Sequence, residues 1–273
     1  MHFAINVPNF GPFGHPRIMA GLAQDAEAAG WDGMFIWDHM LWTWPENYPV
    51  TEPWVTLGAM ATVTERIRLG PMVTPLPRRR PWQVARQAVT LDQLSNGRAI
   101  LGVGIGGDWF GDYSRFGEPA DDRIHGAQLD EALQVITGLW RSTPFSYAGQ
   151  HYTIKETQFL PAPIQQPRIP IWVAGVWPGT KPFRRAAQYD GAAPIPRGEN
   201  TKLTPKDVGE MVTYIRQHRS ADPFDIVLAG PPLEAEQYAA FAQAGATWYQ
   251  DGFMADDSVD HVRAHIRRGP PHR

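Results

Sequence analysis

Short apolar runs alternate with longer amphipathic segments along the whole chain. The runs at 3–7, 33–37, 67–73, 99–103, 171–174, 191–193, 225–228 and 247–250 are β-rich in composition and mostly bounded by Gly, Pro or Asp, which predicts strands. Between and after them, segments 18–29, 54–64, 81–94, 121–140, 181–188, 205–217, 233–244 and 258–267 carry helical patterns. In 121–140, Leu129, Leu133, Ile136 and Trp140 recur at spacings of four, three and four, which is one face of a helix. Pro53 and Pro81 stand where a first helical turn tolerates proline.

Eight strands in alternation with eight helices predict parallel strands joined by helical crossovers. In a chain of 273 residues that count favours a closed (β/α)8 barrel, an α/β fold read as a single domain over residues 1–273. An open doubly wound sheet is the alternative. Residues 144–170 break the rhythm. "FSYAGQHYTI" reads as a hairpin turning at Ala148-Gly149 and "LPAPIQQPRIP" as a proline-rich crossing, together an insertion between the fourth helix and the fifth strand.

Composition narrows the function classes. With 43% hydrophobic and 19% charged residues the chain can bury a substantial core. A net charge of −3, with basic residues scattered apart from Arg78-Arg79-Arg80 and Arg267-Arg268, gives no reason to expect a nucleic-acid partner. No apolar run approaches bilayer length, and "MHFAINVPNF" lacks the basic and apolar regions of a signal peptide, so a cytoplasmic protein without a membrane partner is expected. There is no cysteine, which removes disulfides, thiolate nucleophiles and iron–sulfur clusters.

In a (β/α)8 barrel the chemistry gathers where strands end and loops begin. The second strand ends in Asp38-His39 and opens into a loop with Trp42 and Trp44. Histidine suits proton transfer near neutral pH; a turn cap at Asp38 and an ordinary loop residue at His39 weigh about equally, and the tryptophans tip the balance towards a site. The fourth strand ends in "LGVGIGGDWFGDYSRFGEP". Gly102, Gly104 and Gly107 meet a G-x-G-x-x-G spacing, but Gly111, Gly117 and Pro119 follow where a dinucleotide motif needs a helix. Close backbone approach to a flat ring is the better reading, with Asp108 placed either to meet the ligand or to cap a turn. Pro71, Pro75 and Pro77 require the third strand to bulge or bend. Arg78–Arg80 beyond it read as anion contacts or as a solvated rim. Gly175, followed by Thr180 and Lys181 in "WVAGVWPGTKPF", reads as an anion site at a helix start or as a plain β–α turn.

Absences discriminate further. The first strand has no H-x-H, and no metal site is expected. His261 and His265 share a helix face without forming H-E-x-x-H and are expected at the surface. No carboxylate ends the seventh strand, which weakens a glycosidase reading, and no G-x-S-x-G occurs.

The order of "WDH", "TEPWVTLGAMATVTERIRLGPMV", "RRRPWQVARQAVTLDQLSNGRAILGVGIG", "YSRFGEP" and "LDEALQVITGLW" resembles the luciferase-like monooxygenase family, flavin- or deazaflavin-dependent (β/α)8 oxidoreductases. The resemblance spans roughly residues 3 to 195. It implies a tricyclic ring at the C-terminal mouth of the barrel. A third-strand bulge at Met72-Val73, often a non-prolyl cis peptide in the family, would support the ring. Gly104, Gly106 and Gly107 would border it, and Ala174, Gly175 and Val176 would lie near its ribityl or phosphate end. Asp38-His39 matches the Asp-His of deazaflavin-dependent relatives, where the His stabilises charge or moves a proton as hydride transfers. On that resemblance Asp38 and His39 contact ring and substrate, and Trp42 and Trp44 shape the substrate pocket; Asp108 is a further catalytic candidate by its place at the fourth-strand end alone.

Coenzyme F420 is favoured over FMN, with a small apolar organic substrate. An FMN-dependent monooxygenase, which would need a partner reductase, is the first alternative. A non-catalytic flavin-binding protein and a cofactor-free hydrolase or lyase using Asp38, His39 and Asp108 are the others. The chain departs from many members in running straight from "LAGPPLEAEQY" into a helix, without a long covering insertion. That leaves an open site, closure by the loop 45–53, or completion by a second copy in a homodimer.

Overall fold

The first strand, β1 (His2–Val7), is buried on both sides beyond its first residue. Ala4 and Asn6 point into a barrel, while Ile5 and Val7 point out against helices. This double burial is what a parallel sheet wrapped by crossovers imposes on its strands. The structure, a computed structural model, describes residues 1–198, 201–219 and 223–271.

The strands continue as β2 (Gly33–Ile36), β3 (Arg68–Pro71), β4 (Thr74–Pro75) and β5 (Leu101–Gly104). After an antiparallel hairpin of β6 (Phe145–Ala148) and β7 (Thr153–Thr157) come β8 (Ile171–Trp177), β9 (Gly191–Pro196), β10 (Asp225–Gly230) and β11 (Trp248–Gly252). The main sheet is parallel, in the order β3-β2-β1-β11-β10-β9-β8-β5-β4. A parallel bridge between Leu69 and Ala99 joins β3 to the start of β5, and Ile100 N–H donates to the Leu69 carbonyl at 2.9 Å, closing the sheet. β3 and β4 are one barrel strand in two pieces, interrupted at Met72-Val73, where the peptide is cis. The expected (β/α)8 barrel is therefore the fold, and the hairpin lies where the insertion was expected.

Helices α1 (Pro16–Ala29), α2 (Pro53–Ala61), α3 (Pro81–Leu94), α4 (Asp122–Trp140), α5 (Thr180–Ala186), α6 (Pro205–Arg216), α7 (Ala235–Ala244) and α8 (Val259–Arg267) form the outer ring. They bury Met19, Leu22, Leu57, Val84, Leu133 and Val262 against the outward strand residues, each such side chain contributing on the order of 1.5–3 kcal/mol. None of the helices is long and apolar enough to cross a membrane, among the described residues. His265, expected at the surface, instead hydrogen-bonds buried Asp251 at 2.8 Å and pins α8 to β11.

The barrel interior is filled at its lower level by Phe35, Trp172 and Trp248, with ring centroids 5.3–6.1 Å apart. Trp172 donates its indole N–H to Asp225 at 3.0 Å, and burial pushes the Asp225 carboxyl above the usual carboxylate range. Above this apolar plug the interior turns polar at Asn6 and Gln250 and then opens to the mouth.

Candidate active site at the barrel mouth

Side chains alternate along a strand, so the residues two positions beyond the interior layer face the same way. On β8 these follow Trp172 as Ala174 and Val176, on β9 Ala193 is followed by Ile195, and on β10 Val227 is followed by Ala229. Val176 is 41% and Ile195 47% exposed, and Ala229 is exposed too. These inward-facing aliphatic groups leave an accessible apolar surface at the C-terminal end of the barrel. Met72 and Val73, half-buried at the break in the third barrel strand, belong to the same end of the barrel.

The glycines expected to border a ring have another immediate neighbour. A Cβ on Gly102 would run into the Pro71 carbonyl, one on Gly104 would meet Val73 Cγ2 at 2.9 Å, and one on Gly106 would meet Pro75 and the Tyr113 hydroxyl at 2.9 Å. Gly107 faces the Trp109 ring in the same way. At Gly102, Gly104 and Gly106 the absence of a side chain lets β5 and the turn after it press flush against the interrupted third strand. Gly106 also has φ +71°, a left-handed conformation that favours glycine. Burial pushes the Tyr113 hydroxyl pKa up, so it remains a donor, and it donates a hydrogen bond to the Ile105 carbonyl at 2.6 Å. Gly175 lies inside β8, which pairs with β9 as far as Trp177, and not at a β–α turn; a Cβ there would overlap Pro182.

The charged residues divide by direction. Asp38 is 4% exposed and turned into the wall, where Oδ1 accepts from Arg78 at 2.7 Å and Arg79 at 2.8 Å, and Oδ2 accepts from Thr74 at 2.9 Å. Its backbone carbonyl accepts from Arg78 as well. The resemblance placed Asp38 against the ring; in the structure its carboxylate is fully engaged with its own chain. Arg79 continues to Glu52, and the two carboxylates outweigh burial to raise the Arg79 pKa. Of the arginine run only Arg80 is an exposed rim residue.

His39 follows on the next position and points the other way. Its Nδ1 lies 2.8 Å from Asp112 Oδ2, while Asp112 Oδ1 accepts from the Met40 N–H at 2.8 Å and pairs with Arg78 at 3.3 Å. Burial alone would raise the Asp112 carboxyl, but the hydrogen bond to His39, the Met40 N–H and the Arg78 charge hold it below the usual carboxylate range. Of the two readings of Asp108, ligand contact and turn cap, the structure shows the second: it accepts from the Tyr113 and Ser114 N–H groups at 2.8 and 3.0 Å, and bonds from Ser114 and Tyr113 lower its pKa. It organises the loop that delivers Asp112. Sequence reasoning missed Asp112, because the irregular loop 105–121 has no period to show which carboxylate turns inward.

An aromatic wall surrounds the His39 ring. Trp42 is sandwiched between Phe10 at 4.1 Å and Phe110 at 4.0 Å, and His39 meets Trp42 edge-on at 5.3 Å. Trp37 lies 5.9 Å from His39. Trp44 is 69% exposed and contributes its carbonyl to the Trp42 indole N–H at 2.7 Å. Phe10, Trp37 and Phe110 were also missed. The C-terminal mouth of a (β/α)8 barrel, with an exposed apolar rim and one histidine held on a buried carboxylate, is the candidate small-molecule site of this chain.

Residues 1–270 match the luciferase-like monooxygenase family, and the chain belongs to that family. An uncharacterized protein of Mycobacterium tuberculosis (strain ATCC 25618 / H37Rv) is 36% identical over 186 residues, 62% of each chain. The F420-dependent glucose-6-phosphate dehydrogenase of Beutenbergia cavernae is 34% identical over 167 residues, 60% of this chain and 48% of that one. The oxygenase component of the flavin-dependent trigonelline monooxygenase of Acinetobacter baylyi is 28% identical over 176 residues, 63% and 46%. These matches take in less than two thirds of each relative's length. Among solved structures, an F420-dependent secondary alcohol dehydrogenase in complex with an F420-acetone adduct superposes with a TM-score of 0.81 at 17% identity, covering 99% of this chain and 98% of that one, which shows the shared fold.

Proposed function

We propose that this chain is an oxidoreductase that holds the tricyclic ring of coenzyme F420 at the barrel mouth and exchanges a hydride between it and a small apolar organic substrate. The observation that carries this reading is the apolar rim of the barrel mouth: inward-facing Val176, Ile195 and Ala229 are exposed and Ala174 half-buried, an apolar surface against which a flat ring can lie. Met72 and Val73 would support the ring, with Gly104 and Gly106 keeping the β5 end low beside it. Bound there, the ring supplies a carbon that gives or takes a hydride.

The residues of the chain do the rest. His39 presents the nitrogen not held by Asp112 and moves a proton at the substrate's polar atom. Trp42, Phe10 and Phe110 exclude water and pack the apolar part of the substrate. Asp38, Arg78 and Arg79 anchor the strand ends from which His39 is presented. Two further facts favour hydride transfer over oxygen activation. The likeness to an F420-dependent dehydrogenase is one. The other is that only residues 231–234 separate β10 from α7, too few for a long cover over reactive intermediates.

Parallel titrations with F420 and FMN, read by ligand fluorescence, test this. Saturable F420 binding without FMN binding is expected. Binding of FMN alone would replace it with the monooxygenase reading, which carries a separate reductase with it. F420 binding with no hydride exchange towards any alcohol, aldehyde or ketone would leave a carrier, and binding of neither ring would remove the cofactor reading.

A further inference from the structure

We infer that Asp112 is the positioning residue for His39, fixing its ring as the Nδ1–H tautomer so that Nε2 is the nitrogen that exchanges a proton with the ligand. The catalytic part rests on the reading above; the tautomer does not.

The argument is directional. A carboxylate only accepts hydrogen bonds, and Asp112 has both oxygens assigned. Oδ1 takes the Met40 N–H at 2.8 Å and the Arg78 guanidinium at 3.3 Å, both of them donors. That clamps the carboxylate plane and aims Oδ2 at His39 Nδ1, 2.8 Å away. Nδ1 must therefore carry the hydrogen. Nε2 takes no hydrogen bond from the described residues, and the His39 side chain keeps 16% of its surface. Around the ring stand Phe10, Trp37, Trp42 and Phe110, none of them charged. Asp112 is the charged group that touches it, with Arg78 and then Asp38 behind. In the neutral ring Nε2 is an acceptor facing outward; after taking a proton it becomes a donor beside a carboxylate that balances the new charge.

The same clamp makes a specific variant informative. In Asp112→Asn the amide oxygen must stay on the Met40 N–H and Arg78, because both are donors. The NH2 group then faces His39 Nδ1 and donates to it, which moves the ring hydrogen to Nε2. The pocket would meet an N–H where the native protein offers a lone pair. In a Ser-His-Asp enzyme the equivalent exchange lowers turnover by about 10⁴-fold through the wrong tautomer.

The test is nitrogen-15 NMR of the full-length protein labelled at histidine, with the His39 signals assigned by their loss in His39→Gln, together with steady-state F420 kinetics. Expected, at a pH where titration of the signals shows the ring to be neutral, are Nδ1 protonation in the native protein and Nε2 protonation in Asp112→Asn, with a fall in kcat of about 10²-fold or more and KM for F420 within about threefold. A native ring protonated at Nε2 overturns the proposal, and needs no variant to fold. Reversal of the tautomer with unchanged kcat overturns the role in turnover. If the native protein exchanges no hydride with F420, the reading of function falls, while the native tautomer still decides the pair.

Discussion

The indole N–H of Trp37 donates to Asn6 Oδ1 at 2.7 Å, and that one bond orients two amides. Because indole nitrogen is only a donor, the Asn6 oxygen must face it. Asn6 Nδ2 then donates to Gln250 Oε1 at 2.6 Å, and the buried Gln250 Nε2 is left without a partner. Asn6→Leu therefore orphans the Trp37 N–H and the Gln250 oxygen together, and should cost about 1–3 kcal/mol. Gln250→Leu removes one used acceptor and one unused donor, and should cost less. Urea unfolding followed by tryptophan fluorescence would rank them, and the reverse order would show that the amides are oriented otherwise.

Arg78 stands between two buried carboxylates, Asp38 and Asp112, whose side chains are 1% and 2% exposed. Arg78→Met removes one cation from both, leaving Asp38 on Arg79 and Thr74 and Asp112 on the Met40 N–H and His39, and stability should fall by about 1–3 kcal/mol. Arg80→Ala, at an exposed neighbour, should stay within about 0.5 kcal/mol. Thermal and chemical unfolding of the two variants gives the comparison.

Gly102 and Gly117 separate crowding from conformation. Gly117 has φ +75° with nothing near its missing Cβ, so Gly117→Ala should cost about 1–2 kcal/mol in backbone strain alone. Gly102→Ala drives a methyl into the Pro71 carbonyl, which cannot give way without opening the β3–β5 seam. It should be the more destabilising of the two, read by unfolding midpoint and soluble yield.

Trp42→Ala deletes the middle of the Phe10–Trp42–Phe110 stack. The loop 40–50 should become a cleavage site in limited proteolysis, and KM for an apolar substrate should rise about tenfold or more. Trp44→Ala, at an exposed ring, should leave the unfolding midpoint unchanged. Equal protease resistance of Trp42→Ala and the native chain would show that the stack does not hold the loop.

Glu27 and Glu131 give stability a pH dependence. Burial would raise both carboxyls, but Glu27 accepts the N–H groups of Glu65, Arg66 and Ile67, and Glu131 those of Gln150, His151 and Tyr152, so both pKa values fall below 4.5. A depressed folded pKa adds stability that is present above the unfolded value and is lost as pH falls through the folded one. Glu27→Gln should therefore be less stable than the native chain at pH 6, and the gap should close as pH drops below about 4. Denaturation at pH 6, 4 and 3 measures it; a gap that widens on acidification contradicts the sign.

The alternation of apolar runs and helical patterns was enough to show eight strand–helix units and to favour the barrel, since each period depends only on which face of a local element is buried. Closure against an open sheet was decided by the pairing of the third and fourth barrel strands. A break in the third strand was likewise legible through its prolines, and the family resemblance put it at Met72-Val73. His39 and Trp42 were legible as candidates because unusual side chains crowd a strand end. The glycines were legible in position, but their close approach to the third strand was not.

What only the tertiary structure decided is the pairing of side chains from different loops. His39 and Asp112 are 73 residues apart, and Asn6 and Gln250 are 244 apart. Asp108 and Asp112 are chemically alike in the sequence and opposite in the structure, one spent on loop N–H groups and the other on His39. A polar residue inside an apolar strand, as at Asn6 in "HFAINV", signals that a partner exists. It does not say where the partner lies, because the direction of a side chain beyond its own element is set by how the barrel closes.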